Sequence, residues 1–436
     1  MDREERRRSA RFLEHEFERL DFGPVEDLRG RHGKKLWSPE QFSKAIVAGV
    51  VAGRKGFLGV EKLSKQFAWE VEKRLGFFRR LPDTTLRDYV VKADLGGYRT
   101  VLRQQARSLY RSKSLSRSEG LPIHMVSVDG KYRYVWVHQE RADDYPYFQT
   151  VKEPVEDRQK GEVRSITVSL VTSRSTFVLD TIPVRRETNE MGMFPEVLEA
   201  ILEDWGNTDL PELVAADAGS ASLANATLVN EAGLGYLMVL NGFQPELLRE
   251  AERQLGRRSA EHAEATWEER YQGKMLVYRL WRTGEMADWN GWTHLQQVLR
   301  LERREVSDRP EIPDKVGTRY FLSNLPWGRL APADWIQVIR RRWGVENGAH
   351  WTLDKILEED DHPWTKDPHG MLVLQMLRRI GLNILALHRG VHLRSEENRM
   401  QPWKDFLENF HDVLRHAEPQ DLLDRRALKR RIAIAA

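Results

Sequence analysis

The 436-residue sequence contains no cysteine. Disulfide bridges and thiolate metal sites are therefore excluded, and a reducing compartment fits. Long apolar runs are also missing. The longest clean one, AIVAGVVAG (45–53), falls far short of the roughly 18 residues that span a membrane. The opening stretch MDREERRRSARFLEHEFERL is too charged for a signal peptide. The sequence has no internal repeat, no low-complexity segment and no GxxxxGK[ST] phosphate loop, so no nucleotide cofactor is expected. Together these absences predict a cytoplasmic protein with no membrane partner.

Net charge is small, +3, but unevenly spread. Residues 1–120 hold 27 Lys and Arg against 17 Asp and Glu, whereas the remainder holds 42 against 49. Within 31–120 the balance is 20 against 8. A basic N-terminal region suits a polyanionic partner such as DNA, although a merely solvated basic surface would look the same.

The pattern along the chain divides it. Residues 1–120 read as helical, with a capping-box shape at Ser38 and Gln41. The character changes after SLSRSEGLP (114–122). IHMVSVD, RSITVSLVTS (164–173) and FVLDTIPV (177–184) read as strands. FPEVLEAILEDW (194–205) then reads as helix, ELVAADAG (212–219) as strand, SLANATLVNEAG (222–233) as helix and GYLMVLNG (235–242) as strand. Three strands followed by α, β, α, β describe a mixed sheet with helical crossovers. Residues 243–322 look β-rich, from MLVYRLWRT, QQVLRLERREV and TRYFLSNLP. Helical periodicity returns in one long segment over 331–360 and again over 370–390. The tail over 400–436 is helical and ends in the basic cluster RRALKRR.

Residues 124–137, HMVSVDGKYRYVWV, pose the functional question. Asp-Gly between two alternating runs is a hairpin signal. Equally, a carboxylate at a strand's carboxyl end is a usual place for a site in an α/β sheet. Asp217 closes a second strand, and Glu346 lies in the long helix over 331–360, with Arg342 and His350 four residues to either side on the same face. Arg340, Arg341 and Arg342 form a triple cation just before it. Singly, each carboxylate has an ordinary structural explanation. If all three converge, their repulsion demands a cation, and an all-oxygen set selects Mg²⁺ or Mn²⁺.

The order of these blocks resembles bacterial insertion-sequence transposases of the DDE type, most closely the H-repeat-associated branch. The resemblance rests on VDGK (128–131), TNEMGMFPEVLEAI (188–201), ADAGSASLANATLVNEAG (216–233), RRRWGVENGAHWTLD with EEDDHPW downstream (340–364), and LRRIGLNILALHRG (377–390). It implies an α/β fold: a ribonuclease-H-like mixed sheet core with a helical N-terminal domain and a β-rich insertion before the last carboxylate. It implies a DNA-binding domain over 1–120, a catalytic core over 121–242 and 323–395, an insertion over 243–322 and a tail over 396–436. The implied triad is Asp129, Asp217 and Glu346, holding two Mg²⁺ or Mn²⁺ ions. Lys131, Arg133, Arg340, Arg341, Arg342 and His350 are the expected DNA contacts, and Trp267, Trp281, Trp289 and Trp292 are weaker candidates for stacking on an unpaired base. The implied partners are double-stranded DNA, both the element's terminal inverted repeats and its target, and a second copy of the chain, with the protein resident at the nucleoid. Three positions depart from the family: Ile339 and Leu353 stand where relatives often carry Tyr and Lys, and Asn241 follows Leu240 where a Lys is usual. The alternative implied reading is a transposase-derived DNA-binding protein that no longer cuts.

Overall fold

The computed structural model describes residues 3–30, 35–76, 80–115, 121–172, 174–271, 273–307, 313–393 and 395–422; the RRALKRR cluster lies outside them. Six helices come first: α1 (Arg3–Arg19), α2 (Pro39–Val51), α3 (Phe57–Ser64), α4 (Trp69–Leu75), α5 (Asp83–Val90) and α6 (Leu95–Arg111). The α/β part follows: β1 (Met125–His138), β2 (Phe148–Thr150), β3 (Arg158–Val171), β4 (Thr176–Pro183), α7 (Glu190–Trp205), β5 (Leu213–Ala216), α8 (Leu223–Glu231), β6 (Gly235–Leu240) and α9 (Pro245–Leu255). Four long strands, β7 (Ala265–Tyr271), β8 (Lys274–Thr283), β9 (Gln297–Val306) and β10 (Lys315–Ser323), lead to the last helices. These are α10 (Pro332–Arg342), α11 (Pro368–Leu387), α12 (Glu396–Arg399) and α13 (Trp403–His416).

All ten strands belong to one sheet. Its core order is β4-β3-β1-β5-β6, with β3 antiparallel to β1 and with β1, β5 and β6 parallel. That is the mixed ribonuclease-H-like sheet expected from the strand–helix alternation. The β-rich segment does not form a separate layer. β10 pairs antiparallel with β6, and β9, β8 and β7 continue outward from it. The same region opens with a helix, α9, which alternation alone had not indicated.

Side-chain alternation along β1 sets the two faces of the sheet. Val126 and Val128 point into the larger core, which also holds Phe194, Val197 and Ile201 of α7. Met125 points the other way, with Leu213, Ala215 and Leu237, onto Trp335, Ile336 and Ile339 of α10. Each large apolar side chain buried in this way contributes about 1.5–3 kcal/mol.

The helical N-terminal region is packed into the same core. Phe17, Ile46, Val60, Leu86 and Leu102 share a continuous apolar cluster with Leu374, Ile380, Ile384 and Phe410. Its centre is α11, a helix long and apolar enough to cross a membrane, yet buried throughout inside the protein. Part of the N-terminal positive charge is spent internally. Arg99 grips the carboxylate of Asp180 (Nε–Oδ1 2.9 Å, Nη2–Oδ2 2.6 Å), and Arg103 and Arg107 both donate to the buried Asp204. The capping box at Ser38 forms as expected: Ser38 Oγ accepts from the Gln41 amide and Gln41 Oε1 accepts from the Ser38 amide.

Candidate active site

The Asp129-Gly130 pair makes no turn. β1 runs unbroken from Met125 to His138, and every residue in it has a partner on β3: Asp129 faces Thr167 and Gly130 faces Ile166. Fourteen consecutive pairings override the local hairpin preference.

Parallel pairing of β1 with β5 ends at Val128 and Ala216. Asp129 and Asp217 therefore take the next positions on adjacent strands, at the point where the two chains part. β1 continues along β3 while β5 turns off into the loop before α8. The parting opens the sheet at the carboxyl end of its parallel strands.

Glu346 arrives from the α10 side. The long segment over 331–360 is not one α-helix. α10 ends at Arg342, and the chain continues through two wide π-helical turns, Val345–His350 and Thr352–Ile356. Such turns add a residue per turn and commonly re-aim side chains at functional sites. Two glycines let this stretch lie flat on the sheet. A Cβ on Gly344 would come 2.7 Å from Val171 Cγ1, and one on Gly348 would come 2.7 Å from Thr176 Oγ1. Thr176 Oγ1 donates to Gly344 O (3.0 Å), and Ser127 Oγ donates to Arg342 O (3.0 Å).

The three carboxylates converge. One oxygen from each of Asp129, Asp217 and Glu346 lies within 4.8 Å of the others. Burial and the nearby Asp129 push the Glu346 carboxyl above its ordinary range. Arg342 stands beside them, nearly fully buried, with Nη1 3.6 Å from Asp217 Oδ1 and its plane over the Trp343 ring. Its Nε and Nη2 are buried without a hydrogen-bond partner. His350 hydrogen-bonds Thr167 Oγ1 through Nε2 (3.2 Å), and its Nδ1 stands 3.1 Å from Asp129 Oδ2, an ion pair when the ring is protonated. Beside Asp217 a cleft of about 610 Å³ opens over the carboxyl end of β6 and the middle of β10, lined in part by Asn241, Thr318 and the exposed Arg319.

The model of a family described as "Transposase DDE domain" matches residues 148–376. The chain belongs to the DDE transposase family. Two curated relatives come from Escherichia coli (strain K12), "H repeat-associated putative transposase YhhI" and "Putative protein YbfL". Each is 24% identical over 240 residues, covering 52% of this chain and 60% of the relative. The chain thus spans about three fifths of the length of the curated relatives it matches.

Other residues singled out in the sequence take different places. Lys131 is buried and bonds to Asp354 and to Glu359 Oε2 (2.8 Å), with Asp360 Oδ1 3.4 Å away. Arg133 donates to the backbone oxygens of Glu359 and Asp360. Both belong to an internal ion network that also takes in Arg378 and Arg379 of α11, at 3.6 and 3.4 Å from Glu359 Oε1. Lys131 is buried in this network and Arg133 is partly buried. Glu359 and Asp360 of the EEDDHPW block, together with Asp354, are the acidic members of that network. Arg340 pairs with Glu269 and lies over the rings of Trp267 and Tyr278, while Arg341 remains exposed. Trp281 and Trp292 are core, and Trp267 is partly exposed.

Two features escaped the reading of the sequence. Tyr132, Tyr134 and Trp136 form an exposed aromatic stripe on β1, with Lys160 Nζ 4.7 Å from the centre of the Tyr134 ring. The alternation in YRYVWV was the visible signal. Glu190, the first residue of α7, sits close to the triad, and its carboxyl is pushed up by burial and by Asp129. Only its presence in the TNEMGMFPEVLEAI block marked it.

Proposed function

We propose that this chain cuts and joins phosphodiester bonds at the ends of an insertion sequence, with Asp129, Asp217 and Glu346 as its catalytic carboxylates. The observation that carries the reading is the approach of three carboxylate oxygens to within 4.8 Å. Arg342 and His350 cannot neutralise three such charges, and the donor set is entirely hard oxygen, which suits Mg²⁺ or Mn²⁺. Asp129, Asp217 and Glu346 would hold two such ions, and the pair, when bound, supplies activation of the attacking oxygen and stabilisation of the leaving one.

The chain's own groups account for the rest. His350, with Nδ1 3.1 Å from Asp129 Oδ2, offsets part of the carboxylate charge when its ring is protonated. Arg342, buried beside Asp217 with Nη1 3.6 Å from its Oδ1, supplies positive charge next to the carboxylates. Arg319, exposed at the mouth of the adjoining cleft, is placed to meet a flanking phosphate, and Arg341 is a second exposed candidate. Water attacks the phosphodiester at the element's end. The freed 3′-hydroxyl then attacks a second strand at the same site, since both steps are in-line displacements at phosphorus. The basic helical region over 1–120 binds the terminal inverted repeats, through cations other than those paired with Asp180 and Asp204. Two ends held together require two copies of the chain on DNA.

The test is direct. The protein is incubated with labelled duplexes carrying the DNA ends that flank its gene, with Mg²⁺, with Mn²⁺ and with EDTA. Divalent-dependent nicking at the element boundary is expected. End binding without nicking under any metal would overturn the catalytic reading and leave a DNA-binding protein.

A further inference from the structure

The face of the sheet opposite Glu346 carries a fourth carboxylate. Gly130 follows Asp129 on β1, and alternation turns it toward α7. A Cβ placed there would fall 2.1 Å from Glu190 Cδ, 2.1 Å from Oε1 and 2.2 Å from Oε2. The Glu190 carboxyl group therefore occupies the volume that any other residue at 130 would fill. A Cβ on Gly219, two residues beyond Asp217, would lie 3.9 Å from Glu190 Oε2. The carboxylate is thus set between the backbone carrying Asp129 and the backbone carrying Asp217, where both chains are glycine and permit the approach.

A glutamate in the first turn of a helix is ordinarily explained by the helix dipole. Here that explanation is insufficient. The α7 N-terminus is already capped, with Asn189 Oδ1 accepting from the Gly192 amide (2.9 Å). Glu190 makes no hydrogen bond or ion pair among the described residues. Its charged neighbours include Asp129, Asp217 and Glu162, and the nearby cation, Arg164, is paired with Glu162. A half-buried carboxylate facing other carboxylates stays ionised only with a cation between them, and otherwise takes up a proton.

Resting on the two-ion reading above, we propose that Glu190 is a further ligand of the divalent-cation site, reaching it from the α7 face while Glu346 reaches it from the α10 face. The centre is then a set of four carboxylates clasped from both sides of the sheet, and Gly130 is the residue that makes room for the fourth.

Mn²⁺ binding to the full chain without DNA, followed by electron paramagnetic resonance, tests this without using activity. Wild type, Asp129→Asn, Glu190→Gln, Gly130→Ala and the exposed-helix control Glu199→Gln are compared, with thermal unfolding as a check on folding. Glu190→Gln and Gly130→Ala are expected to weaken Mn²⁺ binding about tenfold, or to remove one of two bound ions, and Glu199→Gln to leave it unchanged. Gly130→Ala reaches the same carboxylate by steric displacement, so the test stands even if one variant folds poorly. Wild-type affinity and stoichiometry in both variants, with binding lost in Asp129→Asn, would overturn the role of Glu190 and leave the triad intact. Absence of Mn²⁺ binding in the wild type would overturn the two-ion reading itself, and this inference with it.

Discussion

Asp129→Asn should lower divalent-dependent strand cleavage by about 10³-fold or more, while binding of the DNA ends stays within about twofold. The substitution preserves shape and removes one negative charge at the position where β1 and β5 part. It also removes the charge that His350 Nδ1 faces at 3.1 Å. End binding should survive because it depends on cations spread over the protein and not on this carboxylate. Glu346→Gln should give a loss of similar size. The double variant should be hardly worse than either single one, because groups that act as a unit are not additive. Single-turnover cleavage of labelled ends, with gel-shift titration in parallel, measures both quantities. A variant that still cuts within tenfold of wild type would place the chemistry elsewhere.

The second large effect concerns stability. Glu359→Gln should destabilise the fold by about 3–5 kcal/mol, because it leaves buried cations without their shared counter-charge. Glu359 is almost fully buried, and Lys131, Arg378 and Arg379 all converge on it. Burial alone would raise this carboxyl, but the three cations hold it well below its ordinary range. The sign follows. A carboxylate whose folded value is depressed contributes stability that is complete above its unfolded value near 4.5 and is lost as pH falls below it. Wild type should therefore weaken steeply in acid, and Glu359→Gln should show a flatter profile over the same window. Urea unfolding between pH 3 and 7 reads both. Equal acid sensitivity in the two proteins would contradict the account.

Much of the fold was legible in the sequence. The strands β1, β3, β4, β5 and β6 and the helices α7, α8 and α11 fall where alternation, apolar runs and periodicity indicate, because each buries apolar side chains in a large core. The bringing together of Asp129 and Asp217 was legible for the same reason, since both end apolar strands that a βαβ arrangement sets side by side. Three things were not. The Asp-Gly pair carries a local turn preference, and nothing local reveals that β3 pairs across it for fourteen residues. The periodicity over 331–360 is continuous, and the break after Arg342 arises from contact of Gly344 and Gly348 with Val171 and Thr176 on distant strands. Lys131 and Arg133 read as free cations because their partners, Asp354, Glu359 and Asp360, stand more than two hundred positions away. Charge counted along a sequence does not distinguish a surface cation from a buried one.

The most direct measurement is the anomalous scattering of crystals soaked in Mn²⁺. Peaks lying between the side chains of Asp129, Asp217 and Glu346, at about 2.1–2.2 Å from their oxygens, are the predicted result. A clean map at that position, with manganese bound elsewhere or nowhere, would contradict it.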